Sequence, residues 1–158
     1  MIRLIPRLLL ALWCFLLFGA ACAVAQTPGR VPGEQRDGTF KTVQGDVTVV
    51  RHNARVAAIV GGPIRSADRI QTGANGAAAV TLNDGTIISV GPNSVVDLSA
   101  FQFNATTNQG ILLVDLLRGT LRMVSGMIAK ISPDAVKVTT PTTVIGVRGT
   151  DFVVEANP

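Results

Sequence analysis

Val80-Thr81-Leu82-Asn83-Asp84-Gly85-Thr86-Ile87-Ile88-Ser89-Val90-Gly91-Pro92-Asn93-Ser94-Val95-Val96-Asp97-Leu98 holds three short β-branched runs separated by two turn clusters. Asp84-Gly85 is a turn pair, because Gly takes a positive φ without steric cost and Asp tolerates one. In Gly91-Pro92-Asn93-Ser94, Pro92 sets φ for the first central turn position and Asn93 suits the next. Strand, turn, strand, turn, strand is therefore encoded within one short segment. The reading is all-β, and no reaction centre lies in it.

Outward from this segment, the N-terminus reads as an address. Arg3 and Arg7 form a basic start, Leu8 to Ala25 is uncharged and apolar, and Ala23-Val24-Ala25 fits a small-x-small cleavage pattern. Residues 1–25 are expected to be a cleaved secretory signal peptide, with Gln26 the first mature residue. Two alternatives are an uncleaved leader anchoring the chain to the inner membrane and lipidation through Cys22. Gly19 stands where a lipidation site carries an aliphatic residue, and no twin-Arg pair is present. The expected location is periplasmic, with membrane contact only through an uncleaved leader. Both cysteines, Cys14 and Cys22, fall in the leader, which leaves the mature chain without a disulfide, thiolate metal site or Cys nucleophile. Without Arg3 and Arg7, 12 Lys and Arg face 10 Asp and Glu. These charges are scattered, so nucleic acid is not an expected partner.

Residues 26–37, with Pro28, Gly29, Pro32 and Gly33, read as a flexible linker, and residues 38–156 as one all-β domain. Beyond residue 25, Val and Ile total 28, Thr 15 and Leu only 7. β-Branched residues lose χ1 freedom in helices and pack well on pleated surfaces. Turn signals recur at Gly45-Asp46, Arg51-His52-Asn53, Gly61-Gly62-Pro63, Gly73-Ala74-Asn75-Gly76 and Pro133-Asp134. Such spacing suggests a sandwich, barrel or solenoid rather than βαβ units. Ile111 to Leu117 reads as a strand buried on both faces, and polar Ala100 to Gly110 as a loop. Gly126 to Ser132 is a further short run. A Gly-Thr pair recurs at Gly38, Gly85, Gly119 and Gly149, each Gly suiting a corner and each Thr a strand start. The irregular spacing excludes a strict repeat array and allows a rolled or coiled sheet.

Four pieces in order resemble the FecR domain family. Leu82-Asn83-Asp84-Gly85-Thr86 with Gly91-Pro92-Asn93-Ser94 is similar to its L-x-D-G-S/T … x-N-S core. Leu117-Arg118-Gly119-Thr120-Leu121 is similar to its L-x-G-x-L/A strand, and Val138-Thr139-Thr140-Pro141 with Val147-Arg148-Gly149-Thr150-Asp151-Phe152-Val153-Val154 to its V-x-T-P … G-T-x-F-x-V ending. Gly45-Asp46-Val47 and Asp68-Arg69-Ile70-Gln71-Thr72-Gly73 resemble the start of exported, stand-alone FecR-type proteins. The resemblance implies a twisted antiparallel sheet rolled into a solenoid-like or sandwich-like periplasmic domain. In the best-known members that domain relays the state of an outer-membrane siderophore transporter to a sigma factor. The sequence opens on the leader, so what is expected to carry over is the folded module rather than the whole relay.

The motif residues Asp84, Gly85, Asn93, Gly119, Arg148, Gly149, Thr150 and Phe152 are the candidate interaction or structural positions. Arg148, between Gly146 and Gly149, is expected on a bulge that aims it at Asp151 or at an anionic partner. His52 is the single His and reads as a turn residue. Asp46, Asp68, Asp84, Asp134 and Asp151 read as turn carboxylates, and no D-x-D-x-D-G loop supports calcium. No G-x-S-x-G motif suggests a hydrolase. No cofactor, metal or catalysis is expected. Two functions compete: a sensing or interaction module with a protein partner in the cell envelope, and a structural or adhesin-associated module binding glycan or another β domain. The first would work by strand addition at a sheet edge or through loops such as Ala100–Gly110.

Overall fold

A computed structural model describes residues 36–148 and 151–157. The expected leader and most of the expected linker lie outside the described residues. Asp37, at the end of that linker, is buried and bonded into the sheet.

Among the described residues, twelve strands form one curled, mostly antiparallel half-barrel. They are β1 (Gly38–Gln44), β2 (Val47–Arg51), β3 (Ala54–Ala57), β4 (Pro63–Ile64), β5 (Arg69–Thr72), β6 (Ala77–Leu82), β7 (Ile87–Val90), β8 (Val95–Asn104), β9 (Gln109–Val124), β10 (Val136–Thr139), β11 (Val144–Gly146) and β12 (Asp151–Ala156). The main path runs β3-β2-β5-β8-β9-β7-β6-β1-β4. Strand β9 is the spine. Its first part pairs with β8 and, in parallel, with β10; its second part pairs with β7 and β12. One buried cluster draws on both parts, with Phe40, Val80, Leu112, Val114, Leu116, Leu121 and Met123 almost fully inaccessible.

Alternation explains the sidedness of each strand, and its interruptions explain the curl. In β6, Ala78, Val80 and Leu82 point inward while Ala77, Ala79 and Thr81 are half-buried. Along β9 the even positions Leu112, Val114 and Leu116 are buried, then the odd positions Leu121 and Met123. A uniform strand would turn one of these sets to solvent. The register with β8 skips Leu117, between the pairs Val96–Leu116 and Val95–Arg118, and Leu117 and Arg118 are both exposed. This bulge, followed by Gly119 at φ 86°, changes the phase and lets one strand serve both parts of the sheet.

Three expectations change on the structure. Ala100–Gly110 is not a loop: β8 extends through Asn104 and β9 starts at Gln109, leaving only residues 105–108 as the turn. The polar residues there lie within and between strands. Phe101 is buried, Gln102 is exposed, and Asn104 Oδ1 caps the turn by accepting from the N–H groups of Thr106 and Thr107. Ile111–Leu117 is a strand, but only one of its faces is fully buried. Ile111 and Leu113 are half-buried, and Leu117 is exposed. Gly126–Ser132 holds the one α-helix among the described residues, α1 (Met127–Ile131), which buries Ile128 and Ala129.

Candidate functional site

The motif residues separate into two bonded rims at opposite ends of β7. One rim is a stack of corners. Gly73 N–H donates to Asp46 O (2.9 Å), and Asn93 N–H donates to Gly73 O (3.0 Å). Thr72 Oγ1 donates to Gly91 O (2.6 Å) and accepts from Ser94 N–H (2.9 Å). Ser94 Oγ in turn accepts from Thr120 N–H (2.9 Å), and Gly91 N–H donates to Thr120 O (2.9 Å). Asn93 sits at φ 52°, a left-handed conformation that Asn tolerates. A Cβ on Gly119 would lie 2.6 Å from Ser94 Cα, so this corner is closed to any side chain. Ser94 is fully buried and ties the rim together. Its only sequence signal is its place after Asn93 in the second turn.

The other rim is built on Asp84, which is 3% exposed. Its Oδ1 accepts from Thr86 N–H (2.9 Å) and its Oδ2 from Thr86 Oγ1 (2.7 Å). Thr86 Oγ1 also accepts from Gly126 N–H (3.0 Å), and Asp84 O accepts from Met127 N–H (2.9 Å). The β6–β7 turn is thereby clamped to the chain leaving β9. Gly126 has no room for a Cβ, which would stand 2.5 Å from Asp84 O. Gly85, at φ 85°, is surrounded by open space and serves the turn conformation alone.

Two further buried carboxylates tie loops to this framework. Asp37 Oδ2 accepts from Ser66 N–H (2.6 Å). Asp68, 1% exposed, takes both Nε (2.7 Å) and Nη2 (2.6 Å) of Arg51 and the N–H of Arg65 (2.8 Å). A buried carboxylate needs several donors to offset its desolvation, and each has them. Sequence patterns mark neither as buried, because Ser66 is 29 residues from Asp37 and Arg51 is 17 from Asp68; only the Arg65 N–H is local.

Arg148 does not meet Asp151. It is exposed, after the end of β11, whereas Asp151 is paired with Arg122 across β12 and β9. Arg122 donates from Nε to Oδ1 (2.9 Å) and from Nη2 to Oδ2 (2.5 Å) of Asp151. These bonds hold the Asp151 carboxyl below the usual carboxylate range. The register explains the difference: Asp151 stands opposite Val124, two residues from Arg122 on the same face. Gly149 and Thr150 lie outside the described residues. Phe152 is half-buried against the core. Asp46 and Asp134 are exposed turn residues. His52 occupies the exposed tip of the β2–β3 hairpin at φ 46°, beside Asn53 at φ 66°.

Asp84, Asn93 and Gly119 are thus built into scaffolding, and the accessible features include strand edges and aliphatic side chains. Val56, Ile59, Val60, Val144 and Val153 are each about 60% exposed. Among the described residues no group of three or more His, Cys, Asp or Glu could hold a metal, and no helix is long and apolar enough to cross a membrane. A family model described as FecR protein matches residues 68–158. That span takes in everything from β5 to β12, including both rims apart from Asp46. No curated protein and no solved structure matches the chain.

Proposed function

The chain belongs to the FecR protein family, and on that premise we propose that it is a non-enzymatic signalling or regulatory module of the bacterial cell envelope. It is exported, is retained in the periplasm after loss of the leader, and acts through contact with another envelope protein. The observation that carries this reading is the family match over residues 68–158. The family is a regulatory, non-enzymatic one. The distribution of chemistry supports the same reading. The buried polar side chains Asp37, Asp68, Thr72, Asp84, Thr86 and Ser94 are engaged in holding corners together. Among polar and charged surface residues, open sheet edge and the exposed aliphatic side chains Val56, Ile59, Val60, Val144 and Val153 face outward, the material from which protein contacts are made.

The test is deletion of the gene in its host with transcript profiling of envelope functions, followed by complementation with the wild-type gene. The reading expects a defined set of envelope transcripts to change and to be restored. An unchanged profile would overturn it. N-terminal sequencing of the periplasmic protein is expected to start near Gln26. Recovery of the intact leader in the membrane fraction would instead favour anchoring.

A further inference from the structure

Strand β3 ends the main sheet path, and its outer edge has no strand partner among the described residues. Its sidedness can be read from the ladder. Ala58 N–H donates to Val47 O (2.9 Å), and Ala54, Arg55, Val56 and Ala57 stand opposite Arg51, Val50, Val49 and Thr48. Antiparallel ladders alternate, so Ala54, Val56 and Ala58 turn their backbone groups toward β2, while Arg55 and Ala57 turn theirs outward. All four β3 residues are exposed.

The side chains on the two faces of this edge differ in kind. Val56 lies on the same face as its buried partner Val49, yet is itself 59% exposed. Beside it is a shallow apolar groove lined by Phe40, Val49, Val56, Ile59 and Pro63. Ile59 and Val60, in the loop that continues β3, are 66% and 63% exposed. Arg55 lies on the opposite face. From Val47 to Ala67 the chain carries Arg51, Arg55, Arg65 and His52 and no carboxylate, and the nearby Asp68 is occupied by Arg51.

We propose that the outer edge of β3 is a docking site for an extended segment of a partner protein in which apolar and acidic residues alternate. The proposal rests on the reading of the chain as a protein-contact module. The outward backbone groups of Arg55 and Ala57 call for a strand. The groove beside Val56 takes an apolar side chain of that strand, and Arg55 takes a carboxylate on its other face. A second copy of the chain fits poorly. Its β3 would bring another Arg55 and no acid, and a charge on an edge strand is a device that discourages self-pairing.

The test uses the full chain and two labelled synthetic peptides, one alternating Val with Glu and one alternating Val with Lys, with binding read by fluorescence anisotropy. The Glu peptide is expected to bind at least tenfold more tightly than the Lys peptide. Arg55→Glu should reverse that preference. Ala57→Pro removes an outward N–H and no ladder bond, and should weaken the Glu peptide at least tenfold. Circular dichroism confirms the fold of each variant, and if Ala57→Pro does not fold, the exposed Arg55→Glu change carries the test. Equal binding of both peptides, or binding indifferent to Arg55→Glu, overturns the proposal. So does a concentration-dependent dimer in sedimentation that Arg55→Glu alters, which would assign the edge to a second copy. Absent peptide binding alongside an intact deletion phenotype refutes the edge alone, whereas an absent phenotype refutes the module reading itself.

Discussion

Gly85 and Gly119 have nearly the same backbone conformation, φ 85° and φ 86°, in opposite surroundings. Replacing each with Ala separates the conformational cost from the packing cost. A left-handed conformation costs a non-glycine residue about 1–2 kcal/mol. For Gly85→Ala that is the whole penalty, because a Cβ there meets nothing within 4 Å. For Gly119→Ala the new methyl would overlap Ser94 Oγ and stand 2.6 Å from Ser94 Cα. Ser94 must then move, and the N–H of Thr120 loses its partner at the buried hydroxyl. An unsatisfied buried donor adds about 1–3 kcal/mol. The expected totals are about 1–2 kcal/mol for Gly85→Ala and about 2–5 kcal/mol for Gly119→Ala. Urea unfolding measures both. With a slope of about 1–3 kcal/mol per molar for a domain of this size, Gly119→Ala should lower the midpoint by about 1–3 M with an unchanged slope. Equal midpoints for the two variants would refute the account of stacked corners.

Removing the central carboxylate of the second rim by Asp84→Ala should cost about 2–4 kcal/mol, since charge-assisted bonds to Thr86 are lost and Gly126 loses an ordered acceptor; calorimetry of unfolding checks it. Asp151 titrates below the ordinary value near 3.8 because Arg122 donates to it. A depressed carboxyl contributes stability above its unfolded pKa, and that contribution is lost as the pH falls through the folded pKa. Arg122→Gln should therefore raise the Asp151 midpoint in a carbon-detected NMR titration, and an unmoved midpoint would contradict the pairing. The hairpin tip His52-Asn53 has two positive φ angles, the geometry for which Asn-Gly is the favoured pair. Replacing both residues accordingly should raise stability by about 0.5–1 kcal/mol in urea unfolding, with peptide binding unchanged; loss of binding would show that His52 contributes to recognition.

The sheet was legible because its local signals agree. Asp84-Gly85, Gly91-Pro92 and Arg51-His52-Asn53 make the turns expected of them, and in β10 the burial alternates as Val136-Lys137-Val138-Thr139 does. The family motifs pointed to the right domain. Less legible was the meaning of polar residues within strands. Gln102 and Asn104 suggest a loop, yet Phe101 before them and Phe103 between them carry β8 against the core. Period-two reading also misses a change of phase inside one strand. Nothing local to Leu117-Arg118-Gly119 tells whether β9 ends there or continues past a bulge with the other face inward. The Gly-Thr pairs show the same ambiguity: Gly38 starts β1, Gly85 precedes β7, and Gly119 lies within β9. Long-range partners were out of reach in kind. Arg122 lies 29 residues from Asp151, and only the β9–β12 register selects it over the nearer Arg148. Of the motif positions, Asp84, Gly119 and Asn93 act within the scaffold, while the exposed edge at Arg55, Val56 and Ala57 belongs to no motif.

Amide hydrogen exchange by NMR, on the full chain alone and with the alternating Val and Glu peptide, tests most directly whether this is a rigid sheet that works through an open edge. The Val56 amide, bonded toward β2, should exchange slowly in both states, and the Ala57 amide should exchange fast when free and become protected on binding. Protection arising only at other strands, or fast exchange throughout β9, would contradict the account.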